Sequence, residues 1–308
     1  MRVYVAGIHG MVGSAIALEA GTQGHLIFGK SSSELDLRDR RAVFLELKDS
    51  KSDALIIAAA KVGGIGANLA QPVDFISINL QIQTNLIDAA HAANITKVVF
   101  LGSSCVYPKY TPQPIPESAL LTGLLDESTE SYGIAKIAGV RLIQSYRLQF
   151  GRDWTSAILT NLYGPSDNFD SEGANVLPGL LARIHQAKIN NDKTVEIWGD
   201  GTPLREFLFV SDLARAVMAL IQSEGLPSLI NIGSNQEISI RELALLIAEK
   251  LQFDGEITFN TARPNGTPRK LLDSSKISKL GWKPQVSLED GIIQTYKWFL
   301  AQKSGSTK

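Results

Sequence analysis

Three glycines at three-residue spacing, Gly7, Gly10 and Gly13, stand directly after a short β-rich apolar run, RVYVA at residues 2–6, and at the mouth of a helical pattern. Few local features restrict a chain as tightly. A strand that turns through glycines into a helix gathers free backbone N–H groups and the positive end of the helix dipole in one place, and the absent side chains let an anion come close. The GxxGxxG spacing is a variant of the GxGxxG of dinucleotide sites. Glycines in a turn with no ligand read the same in isolation, and it is the position between a strand and a helix that selects the dinucleotide reading.

Continuous apolar runs recur along the chain: HLIFG at 25–29, ALIIAAA at 54–60, KVVFLGSS at 97–104 and SAILTNLYG at 156–164. Each is the pattern of a strand buried on both faces of a parallel sheet, with enough chain before the next for a crossover helix. The sequence therefore predicts an α/β fold, a doubly wound parallel sheet of the Rossmann type over residues 1–165. After about Asn161 the character changes. Gly164, Pro165, Asn168 and Gly173 mark loops, and helical stretches follow near 176–189 and 210–222, with SLINIGS at 228–234 and an amphipathic stripe in ISIRELALLIAEKL at 238–251. These predict a smaller α/β C-terminal domain, 166–308, mainly substrate-binding, with about 205–235 returning to the cofactor domain.

Composition narrows the partners. A chain of 308 residues that is 44% hydrophobic and 20% charged is not disordered. Its net charge of -1 gives no electrostatic reason for a nucleic-acid or membrane partner, so any anionic ligand needs a local site. The N-terminal apolar run is too short to span a bilayer and is broken by glycines, so no signal peptide or anchor is expected. Cys105 is the one cysteine, which excludes an internal disulfide, and no spacing of zinc ligands is present, so no metal is expected. The cytosol is the simplest compartment.

Cofactor choice is read at the end of the second strand, where a carboxylate would hold the ribose hydroxyls of NAD. Here the residues are Gly29, Lys30, Ser31 and Ser32. Without an acid there, and with Lys30 able to pair with a 2′-phosphate beside Ser32, the site reads as NADPH/NADP. Asp36 follows in SELDL. It either hydrogen-bonds the adenine amino group or caps a helix beginning near Arg38.

Tyr132 and Lys136 stand four apart in SYGIAKIAG, a stretch of helical composition, so they share one helix face. An adjacent ammonium stabilises a phenolate, which fits a tyrosine to proton transfer. Ser103 ends the apolar strand KVVFLGS, and strand tips at the carboxyl edge of a parallel sheet face the cofactor crevice. Serine, tyrosine and lysine there would polarise a ketone for hydride transfer.

With these residues in hand, the chain resembles the extended short-chain dehydrogenase/reductase family, and within it the epimerase/reductases that make GDP-L-fucose. The match is carried by AGIHGMVGSAI, AAAKVGGIGAN, FLGSSCVYPK, YGIAKIAG, TNLYGPSDNF, WGDGTPLREFL and NGTPRKLLD, which run almost end to end. The resemblance implies a homodimeric NADPH enzyme that epimerises C3 and C5 of GDP-4-keto-6-deoxy-D-mannose and then reduces C4. It implies that Ser103, Tyr132 and Lys136 form the reducing triad, with Lys136 also on the nicotinamide ribose, and that Cys105 is the base of epimerisation. If the strand continues past Ser103, Cys105 faces the same pocket. It implies substrate contacts at Arg183, Trp198 and Arg205, with Lys270 near a further one. The implied cofactor positions add His9, Met11, Val12, Leu37, Leu101, Gly102, Asn161 and Leu162. Pairing of subunits would use the apolar stripes at 81–93 and 136–148, which would equally pack on the sheet.

One departure bears on the chemistry. The family carries an acid histidine before its VIP motif, and NVLP here places Asn175 there. Asparagine cannot donate a proton as histidinium can. A reading as a C4-reductase of a related GDP-4-keto sugar, with epimerisation lost or narrowed, therefore stands beside the full one. His9 lies where the family has an arginine near the 2′-phosphate, and His185 is expected on the surface.

Overall fold

A computed structural model describes residues 1–170, 173–262 and 265–305. The first half alternates strand and helix: β1 (Arg2–Ala6), α1 (Met11–Thr22), β2 (Leu26–Phe28), α2 (Arg40–Ser50), β3 (Ala54–Ile57), α3 (Ile65–Ala70), α4 (Pro72–Ala92), β4 (Lys97–Leu101), α5 (Glu130–Phe150) and β5 (Thr155–Leu159). The second half adds β6 (Asn161–Tyr163), α6 (Val176–Asn190), β7 (Thr194–Trp198), β8 (Leu204–Phe209), α7 (Val210–Gln222), β9 (Leu229–Ile232), β10 (Glu237–Ser239), α8 (Ile240–Leu251), β11 (Glu256–Asn260), β12 (Arg269–Lys270), α9 (Ser275–Ser278) and α10 (Leu288–Gly305).

Six strands form one parallel sheet in the order β2-β1-β3-β4-β5-β9. The sequence of β3 shows why both faces are covered. Leu55 and Ile57 point into a core shared with α2, α4 and α5, including Leu47, Leu86, Val140 and Ile143, while Ala54 and Ile56 point into one shared with α1 and α7, including Ile16, Leu213 and Val217. All four β3 side chains are fully buried, and each large one contributes roughly 2 kcal/mol. The chain leaves β1 for β2 on one side and crosses back to β3 on the other. A crevice opens at such a switch point, at the carboxyl ends of the strands.

The smaller part is built on β8, which pairs in parallel with β6 and β12 and antiparallel with β10, and on a β7–β11 ribbon. Helices α6, α8 and α10 close a third core around Leu180, Leu243, Ile247 and Phe299. A capping box, with Ser239 accepting from the Glu242 N–H at 3.1 Å and the Glu242 carboxylate returning to the Ser239 N–H, starts α8.

Several expectations shift. The 97–104 run leaves the sheet after Leu101, and Ser104–Val106 is a 3-10 turn. The 156–164 run is two strands, parted at Thr160, whose hydroxyl donates to the Glu206 carbonyl at 3.0 Å and steers β6 onto β8. The helix expected near Arg38 begins at Arg40, and its cap is Asp39, which accepts from the Ala42 N–H at 3.0 Å, not Asp36. His185 is buried rather than on the surface, because it shares the inward face of α6 with Leu181 and Ile184, and it meets the Tyr296 hydroxyl at 3.0 Å. Much of the apolar stripes at 81–93 and 136–148 lies under α4 and α5 against the sheet. No helix among the described residues is long and apolar enough to cross a membrane.

Candidate active site

The glycine turn behaves as its spacing requires. Gly7 adopts a left-handed backbone (φ +88°), and its carbonyl accepts from the Gly10 N–H at 3.0 Å to close the turn into α1. A Cβ on Gly13 would stand 2.0 Å from the Gly7 oxygen, so only glycine lets helix and strand approach this closely. No side chain caps the start of α1 and its first turn holds no acid, which leaves N–H groups and dipole for an anion. This is a cradle that fits a pyrophosphate.

A groove of about 670 Å³ runs over the cradle, and Gly7, Gly10, Met11, Val12, Gly13, Lys30, Ser32, Asp36 and Leu37 line it together. His9 differs. It is exposed and outside this lining, and it adds only a little to the hydrogen bonds from Ser31 that hold the Glu34 carboxyl below its usual range. Lys30 faces the groove, but its ammonium is paired with Glu46 at 2.5 Å. Sequence reasoning missed Arg38, which also lines the groove and makes a forked pair with Asp36, holding that carboxyl at about 2. It also missed the segment Ala58–Val62. The run of three alanines that ends the third apolar stretch was the available signal, since small residues at a strand tip admit a ligand.

The groove opens into a cavity of about 220 Å³ lined by Ser103, Cys105, Tyr132, Lys136, Asn175 and Lys270, with Leu101, Gly102, Asn161 and Leu162 at its floor and Met11 and Val12 shared with the groove. Tyr132 and Lys136 occupy successive turns of α5, and the lysine Nζ lies 5.8 Å from the tyrosine ring centre. Phe75 of α4 meets the Tyr132 ring edge-on at 6.2 Å and fixes its plane. Gly133 follows the tyrosine for a steric reason. A Cβ there would come within 2.7 Å of the Cys105 carbonyl, so the glycine lets α5 lie against the 3-10 turn.

Cys105 reaches the cavity by a different route from the expected one. The strand has ended, and Ser103, accepting from the Cys105 N–H at 3.3 Å, caps the 3-10 turn that carries the cysteine round to the cavity. Lys270 donates toward its sulfur at 4.0 Å. The Lys136 ammonium donates to the Leu101 carbonyl at 2.9 Å, and burial pulls its pKa down to about 7. Burial pushes the Tyr132 phenol well up, Cys105 adds to the rise, and a hydrogen bond with Ser103 opposes both. The phenol is thus a neutral proton donor until a charge nearby favours its anion.

A third space of about 440 Å³ adjoins, lined by Arg183, Trp198, Arg205 and Asn175. The Arg183 guanidinium donates to the Glu196 carbonyl at 3.3 Å and Arg205 to the Leu204 carbonyl at 2.8 Å, and burial pulls both below the usual arginine range. Among the described residues no carboxylate forms an ion pair with either. Two partly desolvated cations without a direct ion pair, with Asp126 acting on Arg205 only from a distance, suit a diphosphate. Lys270 does not line this space and lies instead in the cavity that holds Cys105 and Tyr132. Asn175, the residue before α6, borders all three spaces. Among the described residues no cluster of ligands for a metal ion occurs.

Comparison with known proteins places the chain in a family. Residues 3–233 match the model of the NAD dependent epimerase/dehydratase family. The chain is 52% identical to GDP-L-fucose synthase 1 of Arabidopsis thaliana, over 97% of this chain and 93% of the relative. Among solved structures it is similar to a GDP-6-OMe-4-keto-L-xylo-heptose reductase from C. jejuni (35% identity, TM-score 0.92, 98% of each chain). A GDP-L-fucose synthetase from Naegleria fowleri bound to NADP is also similar (29% identity, TM-score 0.89, 100% of this chain and 95% of that one). The chain belongs to the NAD dependent epimerase/dehydratase family, with GDP-L-fucose synthases as relatives across nearly its whole length.

Proposed function

We propose that this chain is an NADPH-dependent epimerase and 4-ketoreductase that makes GDP-L-fucose from GDP-4-keto-6-deoxy-D-mannose. The observation that carries the reading is the single cavity in which Ser103, Cys105, Tyr132 and Lys136 meet, set between a glycine-cradled groove and an arginine-lined pocket. Residues 1–165, with the returning segment near 205–235, hold the dinucleotide, and the remainder holds the sugar nucleotide. Lys30, Ser32 and Arg38 offer the cationic and hydroxyl groups that a 2′-phosphate needs, once the phosphate competes with Glu46 for Lys30 and with Asp36 for Arg38.

NADPH, when bound, supplies the hydride for C4. The Cys105 sulfur takes the proton from the carbon beside the ketone, and the electron pair moves onto the keto oxygen, where the Ser103 hydroxyl can stabilise it. Return of a proton to the opposite face inverts the carbon. In the reduction, Tyr132 gives its proton to the C4 oxygen, and the Lys136 ammonium stabilises the phenolate that remains. Arg183 and Arg205 clamp the diphosphate, and Trp198 flanks it.

Asn175 favours a second reading. It stands where all three spaces meet and has no proton to give, so the chain would reduce C4 with epimerisation lost or narrowed, and one of its structural neighbours is a reductase of a GDP-4-keto-heptose. Turnover of GDP-4-keto-6-deoxy-D-mannose with NADPH in deuterated water separates the two. Deuterium at C3 and C5 of the product is expected. Reduction without deuterium at either carbon would leave the reductase alone.

The enzyme works in the cytoplasm, a reducing compartment that keeps the Cys105 thiol free. It works as a homodimer paired along α4 and α5, where Ile134 and Leu148 remain exposed.

A further inference from the structure

Lys270 has no carboxylate partner among the described residues, and the polar atom it reaches is the Cys105 sulfur, at 4.0 Å. Its place is fixed by backbone pairing. The two-residue strand β12 lies parallel to β8 with Lys270 opposite Arg205 and Arg269 opposite Leu204. The next residues are anchored as well: the Leu271 N–H donates to the Gln113 side chain at 2.8 Å, and the Leu272 N–H to the buried Glu206 carboxylate at 3.1 Å. One strand pairing therefore delivers two cations to neighbouring spaces, Arg205 to the arginine-lined pocket and Lys270 to the cavity that holds the cysteine.

We propose that Lys270 is a positioning residue for the base, keeping the Cys105 sulfur as a thiolate, so that proton abstraction is performed by a cysteine–lysine pair. An ammonium facing a sulfur favours the charged, nucleophilic form, and a lysine on a short anchored strand loses little further freedom by doing so. The other titratable groups around the sulfur are Tyr132 and Arg205, each within electrostatic reach of it, and Lys136 on the cavity wall. Tyr132 is neutral when protonated and Arg205 is turned to the Leu204 carbonyl, which leaves Lys270 as the cation directed at the sulfur. The proton balance closes. The carbon–hydrogen bond breaks as a sulfur–hydrogen bond forms, the electron pair passes to the keto oxygen, Lys270 stays an ammonium, and the thiol afterwards returns its proton to water.

The inference rests on the reading of Cys105 as the base, yet its test needs no substrate. Cys105 is the only cysteine of the chain, so alkylation by iodoacetamide reports on it alone. In the full-length protein, Lys270→Met is expected to slow alkylation at pH 7 about tenfold or more, while Lys270→Arg keeps most of the rate. At pH 10, where any thiol ionises, the wild-type and Lys270→Met rates should converge. An unchanged rate at pH 7 overturns the proposal, as does an equal loss at both pH values, which would mark a change in access to the sulfur. A failure here with deuterium still entering at C3 and C5 would sink the pair and spare the epimerase. The reverse result would spare the pair and sink the epimerase.

Discussion

Replacing Lys136 with methionine should stabilise the ligand-free protein while destroying its activity, and the gain should depend on pH in a fixed direction. The ammonium is buried, and among the described residues its hydrogen bond is to the Leu101 carbonyl. A pKa drawn down from 10.5 to about 7 means that charging this lysine in the folded chain costs on the order of 5 kcal/mol more than in water. The unfolded chain holds the proton up to about pH 10.5, whereas the folded chain releases it above about pH 7. The penalty is therefore complete below pH 7 and fades as pH rises toward 10.5. Methionine has a similar length and no charge, but it leaves the Leu101 carbonyl unpartnered, a loss of about 1–2 kcal/mol. The net gain at pH 6.5 is about 3 kcal/mol, a rise of roughly 1 M in urea midpoint for a chain of this size, and it shrinks to near zero by about pH 9.5. Urea titrations of both proteins at the two pH values, followed by tryptophan fluorescence, measure it. A variant less stable than wild type at pH 6.5, or a gap that stays constant with pH, would show that the lysine is not a desolvated charge.

Two other substitutions test neighbouring parts of the site. Gly13→Ala pushes a methyl group into the Gly7 carbonyl, and the resulting strain of about 1–3 kcal/mol should weaken NADPH binding by roughly 10- to 100-fold, read by quenching or transfer of protein fluorescence. Asn175→His places a proton donor at the meeting point of the three spaces. Deuterium entry at C3 and C5 should rise at pH 6 and fall away above about pH 6.5 as the imidazole loses its charge, and a flat profile would disconnect this position from proton return.

How much of this was legible in the sequence differs from element to element. The sheet was readable because its strands are buried on both faces, so apolar runs such as ALII carry no competing pattern. Tyr132 and Lys136 were readable because a helix converts spacing into direction. Cys105 shares a cavity with Ser103 through a local geometry other than the expected one, since a strand and a capped 3-10 turn can deliver the same residue to the same space. Arg38 escaped notice because it lies in irregular backbone between β2 and α2, where spacing does not encode direction. His185 was misjudged as a surface residue, although its neighbours Leu181 and Ile184 on the helical period already marked an inward face. The pairing of Lys270 with Cys105 joins residues 165 positions apart and is visible only once β12 lies beside β8.

The return of α7 and β9 to the large sheet has a consequence for anyone who would divide the molecule. A fragment ending near residue 165 would strip β5 of its outer neighbour and uncover the apolar seam now filled by Leu213, Val217 and Leu220, leaving a sticky, unpaired margin prone to aggregation. Because the polypeptide passes back and forth between the halves, they are laced together, and the enzyme should be lost or kept as a unit under proteolysis.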